Sequence, residues 1–197
     1  MKLIKHRINS KKQLNIDDID DIDDIDGVEL DLRYKEKDII LHHDPFVDGE
    51  KFEDFLKEFN MSFLILNIKS EGIEEEVLRL VDKYEVSDYF FLDSSIPFMV
   101  KYINIGWTKF AVRFSEHEPI DLALKFKGKI EWVWVDCFTR FPLDQESYLQ
   151  LKKHFKICLV SPELQGHPIS MIEEFKKKIK GFHISAVCTK HPNLWRN

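Results

Sequence analysis

The sequence predicts an α/β fold, a compact (β/α)8 TIM barrel of parallel strands, and three observations predict it. Short apolar runs recur about every 20 to 30 residues, helical segments lie between most of them, and polar residues able to do chemistry gather where the runs end. The chain has 197 residues, against roughly 250 for a typical barrel of this kind, so some of its helices must be abbreviated. Its 44% apolar content is enough for the core of one domain spanning residues 1–197.

The eight runs are residues 3–6, 28–33, 63–69, 89–93, 110–114, 132–138, 157–161 and 182–187. After the first, residues 16–26 repeat isoleucine and aspartate, with isoleucine at every third position. An EF-hand loop needs alternating oxygen ligands, a central glycine and a closing glutamate, and this repeat lacks that pattern. Isoleucines three apart, with Leu14 before them, line one face of a short helix or irregular turn, so the segment stands as a shortened first helix. In the second run Glu29, Asp31 and Arg33 point to one face and Val28, Leu30 and Leu32 to the other.

Residues 37–43 follow after only Tyr34-Lys35-Glu36, a link too short for a crossover, which predicts an antiparallel β-hairpin inserted after strand 2. Residues 73–84 carry Val77, Leu80, Val81 and Tyr84 at helical spacing, and residues 168–180 carry Ile172, Phe175 and Ile179. Ser70 to Glu74 and Pro119 read as helix starts, and Gly106, Gly128 and Gly181 as stops.

A formal net charge of -6 gives no global attraction to nucleic acid or to anionic membranes, so any phosphate recognition must be local. The first residues lack the apolar core of a signal peptide, and no apolar run approaches the roughly 18 residues of a spanning helix. A soluble cytoplasmic protein is expected. Cys137, Cys158 and Cys188 show no metal-like spacing and sit in or beside apolar runs, which suits small core residues in a reducing compartment. Periodicity does not disclose an oligomeric state.

In such a barrel the chemistry gathers at the carboxyl ends of the strands. Those ends read His6 and Arg7, Glu29 and Asp31, Asn67 and Lys69, Asp93, Arg113 with Glu116, Trp134 with Asp136, Ser161 with Glu163, and Ser185. Two carboxylates on one strand face repel each other and lose hydration, a penalty usually met by a bound cation or by catalysis. Ion pairing with Arg7, Arg33 or Lys69 is the structural alternative. With His6, Arg7, His42 and His43 close by in sequence, the first 45 residues read as a metal-dependent phosphodiester site.

Arg113, Glu116, Asp136 and Glu163 are placed either to bond substrate hydroxyls or to pair with one another across the mouth. Trp134 shares a face with Asp136 and is a candidate wall of the pocket. Alternation turns His42 away from His43, and the histidines at 117, 154, 167, 183 and 191 show no ligand spacing, with His183 the candidate exception because it falls on a run. Lys176 to Lys178 read as a solvated helix face.

His6-Arg7, then Glu29-x-Asp31, then a hairpin ending in His43-Asp44-Pro45, then Leu66-Asn67-Ile68-Lys69, resembles in order and spacing the glycerophosphodiester phosphodiesterase superfamily, which includes sphingomyelinase-D-like and phosphatidylinositol-phospholipase-C-like barrels. The resemblance implies a divalent cation, Mg2+ or Ca2+, held by Glu29 and Asp31, with Asn67 where a third carboxylate commonly stands. It implies that Arg7 and Lys69 contact the phosphate and that His6 and His43 serve as general acid and base. The substrate it implies is a small glycerol- or sugar-linked phosphodiester, opened by hydrolysis or through a cyclic phosphate.

Three departures mark a divergent branch. Ile8 replaces the usual glycine after His-Arg, Asn67 carries no charge, and the aspartate-rich segment replaces a full first helix. They keep open a catalytically weak barrel that binds a phosphorylated ligand.

Overall fold

A computed structural model of the chain describes residues 1–14 and 25–196. Among these, ten strands form one parallel-rich sheet. β1 (Lys2–Lys5) is flanked by β2 (Gly27–Lys35) and β10 (Ala186–Thr189), both parallel to it. Outward from β2 come β5 (Phe63–Ile68) and β6 (Tyr89–Leu92), and outward from β10 come β9 (Lys156–Val160), β8 (Trp132–Val135) and β7 (Ala111–Phe114). Every one of these pairings is parallel. Between the two ends of this path, Phe91 and Phe110 make an isolated parallel bridge, and the Phe91 N–H donates to Lys109 O at 2.9 Å.

Period-two alternation divides the core into two layers. Val28, Leu30 and Leu32 on one face pack with Leu64, Leu66, Val77, Val81 and Phe175 beneath the helices. The other face carries Ile4, Phe63, Ile65, Phe90, Leu92, Trp132, Trp134, Cys158, Val160 and Cys188. Trp132 meets the rings of Phe63 at 5.5 Å and Phe90 at 4.9 Å, although β2, β1, β10 and β9 stand between β5 and β8 in the sheet. The sheet therefore curves strongly toward this second face. On that face β2 offers no apolar side chain: Gly27, Glu29 and Asp31 come first, and Arg33 and Lys35 follow. Gly27 is required there, since a Cβ would lie 2.0 Å from Phe63 O.

The inserted hairpin forms as the short link requires. β3 (Asp38–Leu41) pairs antiparallel with β2, from Leu32 opposite Leu41 to Lys35 opposite Asp38, with Glu36 turning at φ 58°. A two-residue strand, β4 (Glu50–Lys51), extends it and leads into α2 (Phe52–Leu56), whose Phe52, Phe55 and Leu56 are buried. Sequence periodicity misses both because they are so short. The helical spacing of residues 73–84 gives α3 (Glu74–Lys83), and that of residues 168–180 gives α7 (Met171–Lys178). Between them come α4 (Ile96–Ile103), α5 (Ile120–Leu124) and α6 (Gln145–Leu151), with a 3-10 turn at Pro162–Gln165. α1 is the single turn Lys11–Leu14 and α8 the turn Pro192–Trp195. Most of the isoleucine-aspartate repeat lies outside the described residues.

The last run differs from expectation. Its strand is Ala186–Thr189, not residues 182–187, because Phe182 stacks on Tyr148 at 4.0 Å and the His183 N–H donates to Tyr148 Oη at 2.6 Å. Those contacts hold residues 182 and 183 in the helical layer. Ser185 and His183 consequently sit before the strand, and Thr189 and Lys190 take its carboxyl end. No helix among the described residues is long and apolar enough to cross a membrane.

Candidate functional site

A cleft of about 380 Å3 opens at the carboxyl ends of the parallel strands. His6, Arg7, Glu29, His43, Asn67 and Lys69 line it together with Arg113, Trp134 and Asp136. Leu92, Glu118, Phe138, Val160, Leu164, Gln165 and Lys190 complete the wall. Parallel strands in register deliver these side chains. Asn67 stands opposite Asp31, which is wholly buried and not on the cleft wall, across β5 and β2, and Arg113 stands opposite Trp134 across β7 and β8.

The acidic pair is withdrawn from solvent, Glu29 being 1% and Asp31 0% exposed. Burial first, then the Asp31 carboxylate beside it, pushes the Glu29 carboxyl well above the usual range. Donors converge in response. Asn67 Nδ2 donates to Glu29 Oε1 at 2.7 Å and to Asp31 Oδ1 at 3.3 Å. The Arg7 backbone N–H donates to Glu29 Oε2 at 2.8 Å, an approach made possible by Arg7's left-handed φ of 53°. Arg7 Nε stands 3.4 Å from Asp31 Oδ2, and Lys69 Nζ 3.8 Å from Asp31 Oδ1.

Asn9 escapes the sequence reading. Its Nδ2 donates to Asp31 Oδ2 at 2.9 Å, and its Oδ1 accepts the Asp31 N–H at 2.8 Å. An amide two residues beyond the His-Arg pair, in the loop leaving β1, was the available signal. Ile8, where the resembling family carries glycine, is buried in the helical-side core, and Arg7 supplies the turn instead.

The donor set suits a hard divalent cation. Asn67 Oδ1 is buried with no hydrogen-bond partner, while its Nδ2 faces both carboxylates. Rotating the amide by half a turn would place that carbonyl against the same two acids, making an all-oxygen cradle of the kind Mg2+ and Ca2+ prefer. The cradle is two carboxylates and an amide. Among the described residues no group of three or more His, Cys, Asp or Glu is arranged to hold a metal.

The histidines occupy contrasting surroundings. His6 Nε2 lies 3.7 Å from Glu29 Oε2, and burial, reinforced by Arg7, Lys190, His43 and Lys69, lowers its pKa to about 3. It is neutral near pH 7, and its Nδ1 is buried without a partner. His43 sits at the rim with Nδ1 2.8 Å from Asp44 Oδ1, which accepts the proton and fixes the tautomer. Arg33, although on the acidic face of β2, serves this loop. Its Nε and Nη2 donate to His43 O at 3.0 and 2.7 Å, and its Nη1 to Lys69 O at 2.9 Å. His42 Nδ1 accepts the Asp44 N–H at 2.9 Å, a turn contact.

Beyond the acidic pair runs a chain of alternating charge. Lys69 Nζ donates to Asp93 Oδ2 at 3.0 Å, Arg113 Nε to Asp93 Oδ1 at 2.7 Å, and Arg113 Nη1 to Asp136 Oδ2 at 2.7 Å. Asp136 also accepts from Trp134 Nε1, the Cys137 N–H and Gln165 Nε2. Both its oxygens are therefore engaged within the chain.

Glu116 and Glu163 lie outside the cleft wall. Glu116 Oε1 accepts from Thr139 Oγ1 at 2.8 Å and from the Thr139 and Arg140 N–H groups; burial opposes its ionisation, but these bonds win and lower its pKa to about 2. Glu163 Oε1 accepts from Thr189 Oγ1 at 2.6 Å and from the Lys190 N–H at 2.9 Å, and its Oε2 from Ser161. Each fastens one strand-end loop to the next. Glu118, Gln165 and Lys190 reach the cleft without a sequence signal beyond their place in loops after strands.

No known family description matches the chain, and no curated protein matches it by sequence. Among solved structures it is similar to a protein of Agrobacterium tumefaciens provisionally assigned as a glycerophosphoryl diester phosphodiesterase. The TM-score is 0.70 at 13% identity, over 98% of this chain and 95% of that one. A likeness at that identity shows a shared fold.

Proposed function

We propose that the chain is a single (β/α)8-barrel domain, with β3 and β4 as its inserted hairpin, and that it is a metal-dependent phosphodiesterase acting on a small glycerol- or sugar-linked phosphodiester. One observation carries the reading: His6 and Arg7, Glu29, His43, and Asn67 and Lys69, from four separate chain segments, meet in one cleft at the carboxyl ends of the strands. The fold shared with the Agrobacterium protein supports it.

Glu29, Asp31 and the Asn67 carbonyl would hold Mg2+ or Ca2+, which when bound neutralises charge at a phosphoryl oxygen. Arg7 and Lys69, reaching different oxygens of Asp31, hold the phosphate beside them. His6 enters neutral and accepts a proton from water or from a substrate hydroxyl, and the imidazolium then faces Glu29. His43, oriented by Asp44, gives a proton to the leaving oxygen. Water as nucleophile gives hydrolysis, and a substrate hydroxyl gives a cyclic phosphate. Arg113, Trp134 and Asp136 shape the wall against which the alcohol portion rests, while Glu116 and Glu163 act on it through the loops they fasten. Three free, buried cysteines suit a cytoplasmic protein.

One observation favours a second reading, a barrel that binds a phosphorylated ligand without cleaving it. The Asn67 N–H groups bridge both carboxylates where a cation would sit. Turnover of bis(4-nitrophenyl) phosphate with Mg2+ or Ca2+, followed by phosphorus NMR of a glycerophosphodiester, separates the two. The phosphodiesterase reading expects cation-dependent turnover, reduced about 10²- to 10⁴-fold by His6→Ala or His43→Ala at unchanged Tm. Phosphate binding without turnover would establish the second reading instead.

A further inference from the structure

Asp93 follows β6 in a left-handed conformation, φ 60°, which aspartate and asparagine tolerate better than other non-glycine residues. The turn aims its carboxylate at two cations at once, Lys69 Nζ at 3.0 Å and Arg113 Nε at 2.7 Å. Arg113 is anchored in turn to Asp136, whose other oxygen accepts from the Cys137 N–H and Gln165 Nε2 at 2.8 Å each. The Asp93 carboxylate is thus fixed from behind.

Lys69 has a choice of acids. Asp31 Oδ1 is 3.8 Å from its ammonium, just beyond a direct hydrogen bond, and Asp31 is wholly buried. Coulomb attraction at such a buried site strengthens as the charges close, so an ammonium with no competing acid would move onto Asp31. There it would neutralise the carboxylate that a divalent cation needs.

We propose that Asp93 is a positioning residue that draws Lys69 off Asp31, with Arg113 as its brace, and so keeps the acidic pair available to a divalent cation. This rests on the reading of Glu29 and Asp31 as a cation site. Burial works to raise the Asp93 carboxyl, yet the bonds from Arg113 and Lys69 prevail and hold it below the usual range, so it offers Lys69 a full negative charge.

The test is calorimetric titration of the folded protein with Mg2+ and with Ca2+. Asp93→Asn keeps a residue that tolerates the left-handed turn but removes the charge, and is expected to weaken cation binding about 10- to 100-fold, the usual range for a residue that orients metal ligands. Adding Lys69→Met is expected to restore binding to near the wild-type level, because no ammonium remains to occupy Asp31. Arg113→Met, alone and with Lys69→Met, should repeat the loss and the recovery, and serves if Asp93→Asn does not fold. Unchanged affinity in Asp93→Asn, or loss that Lys69→Met does not reverse, overturns the inference while leaving the cation site standing. A wild type that binds neither cation overturns the metal reading and the inference with it.

Discussion

Burying Glu29 beside Asp31 makes the stability of the folded chain depend on pH. A carboxyl raised by folding binds its proton more tightly in the native than in the unfolded state, so its contribution is fully present below the unfolded pKa of about 4.5 and is lost as pH rises through the folded value. His6 acts in the opposite sense. Lowered to about 3, it stays neutral when folded but charges when unfolded, so it removes stability as pH falls from about 6.5 toward 3. Glu29→Gln should therefore raise Tm by a few degrees at pH 8, with little gain at pH 4, as thermal denaturation at the two pH values would show. Asn67, whose Oδ1 has no partner, can turn to meet the new amide. The same variant should lose cation binding, and a substitution that stabilises while it disables is the mark of a residue kept for function.

At the scale of elements, the inserted hairpin carries His43 and is fastened by Arg33 to the end of β5. Arg33→Met keeps most of the side-chain volume and removes three hydrogen bonds. It should lower kcat about tenfold or more through displacement of His43, with KM for the phosphodiester changed less. Equal kcat in the variant would show that the hairpin holds its own position.

The hairpin was legible because three link residues leave no room for a crossover, and α3 and α7 because their apolar positions recur at helical spacing. The last strand was not. Phe182 and Ile184 alternate as a strand would, and only the stacking of Phe182 on Tyr148, a contact 34 residues distant, places them before it. Asn9 escaped for a related reason, and so did the role proposed for Asp93, which was read only as a polar residue at a strand end. Their roles depend on turns with positive φ at Arg7 and at Asp93 itself, and side-chain type alone does not disclose such backbone.

At the scale of the whole molecule, the acidic pair and Asn67 were readable because they lie on parallel strands, His6, Arg7 and Lys69 because they follow such strands, and His43 because the hairpin after β2 returns the chain to the same end of the sheet. Glu116 and Glu163 looked equivalent by that rule. They serve instead to fasten loops, since a carboxylate next to unpaired backbone N–H groups finds donors there before it reaches the cleft. What the fold does as a unit is place two buried carboxylates and an amide beside two cationic side chains and two histidines, the arrangement proposed above to hold a cation. Anomalous diffraction from a crystal grown with Mn2+, as a stand-in for Mg2+, and a non-cleavable phosphate analogue tests that most directly. The account expects one peak within about 2.3 Å of Glu29, Asp31 and the Asn67 carbonyl oxygen, with analogue density reaching Lys69 and Arg7. A site without a peak, in which Asn67 Nδ2 still bridges the two carboxylates, would contradict it.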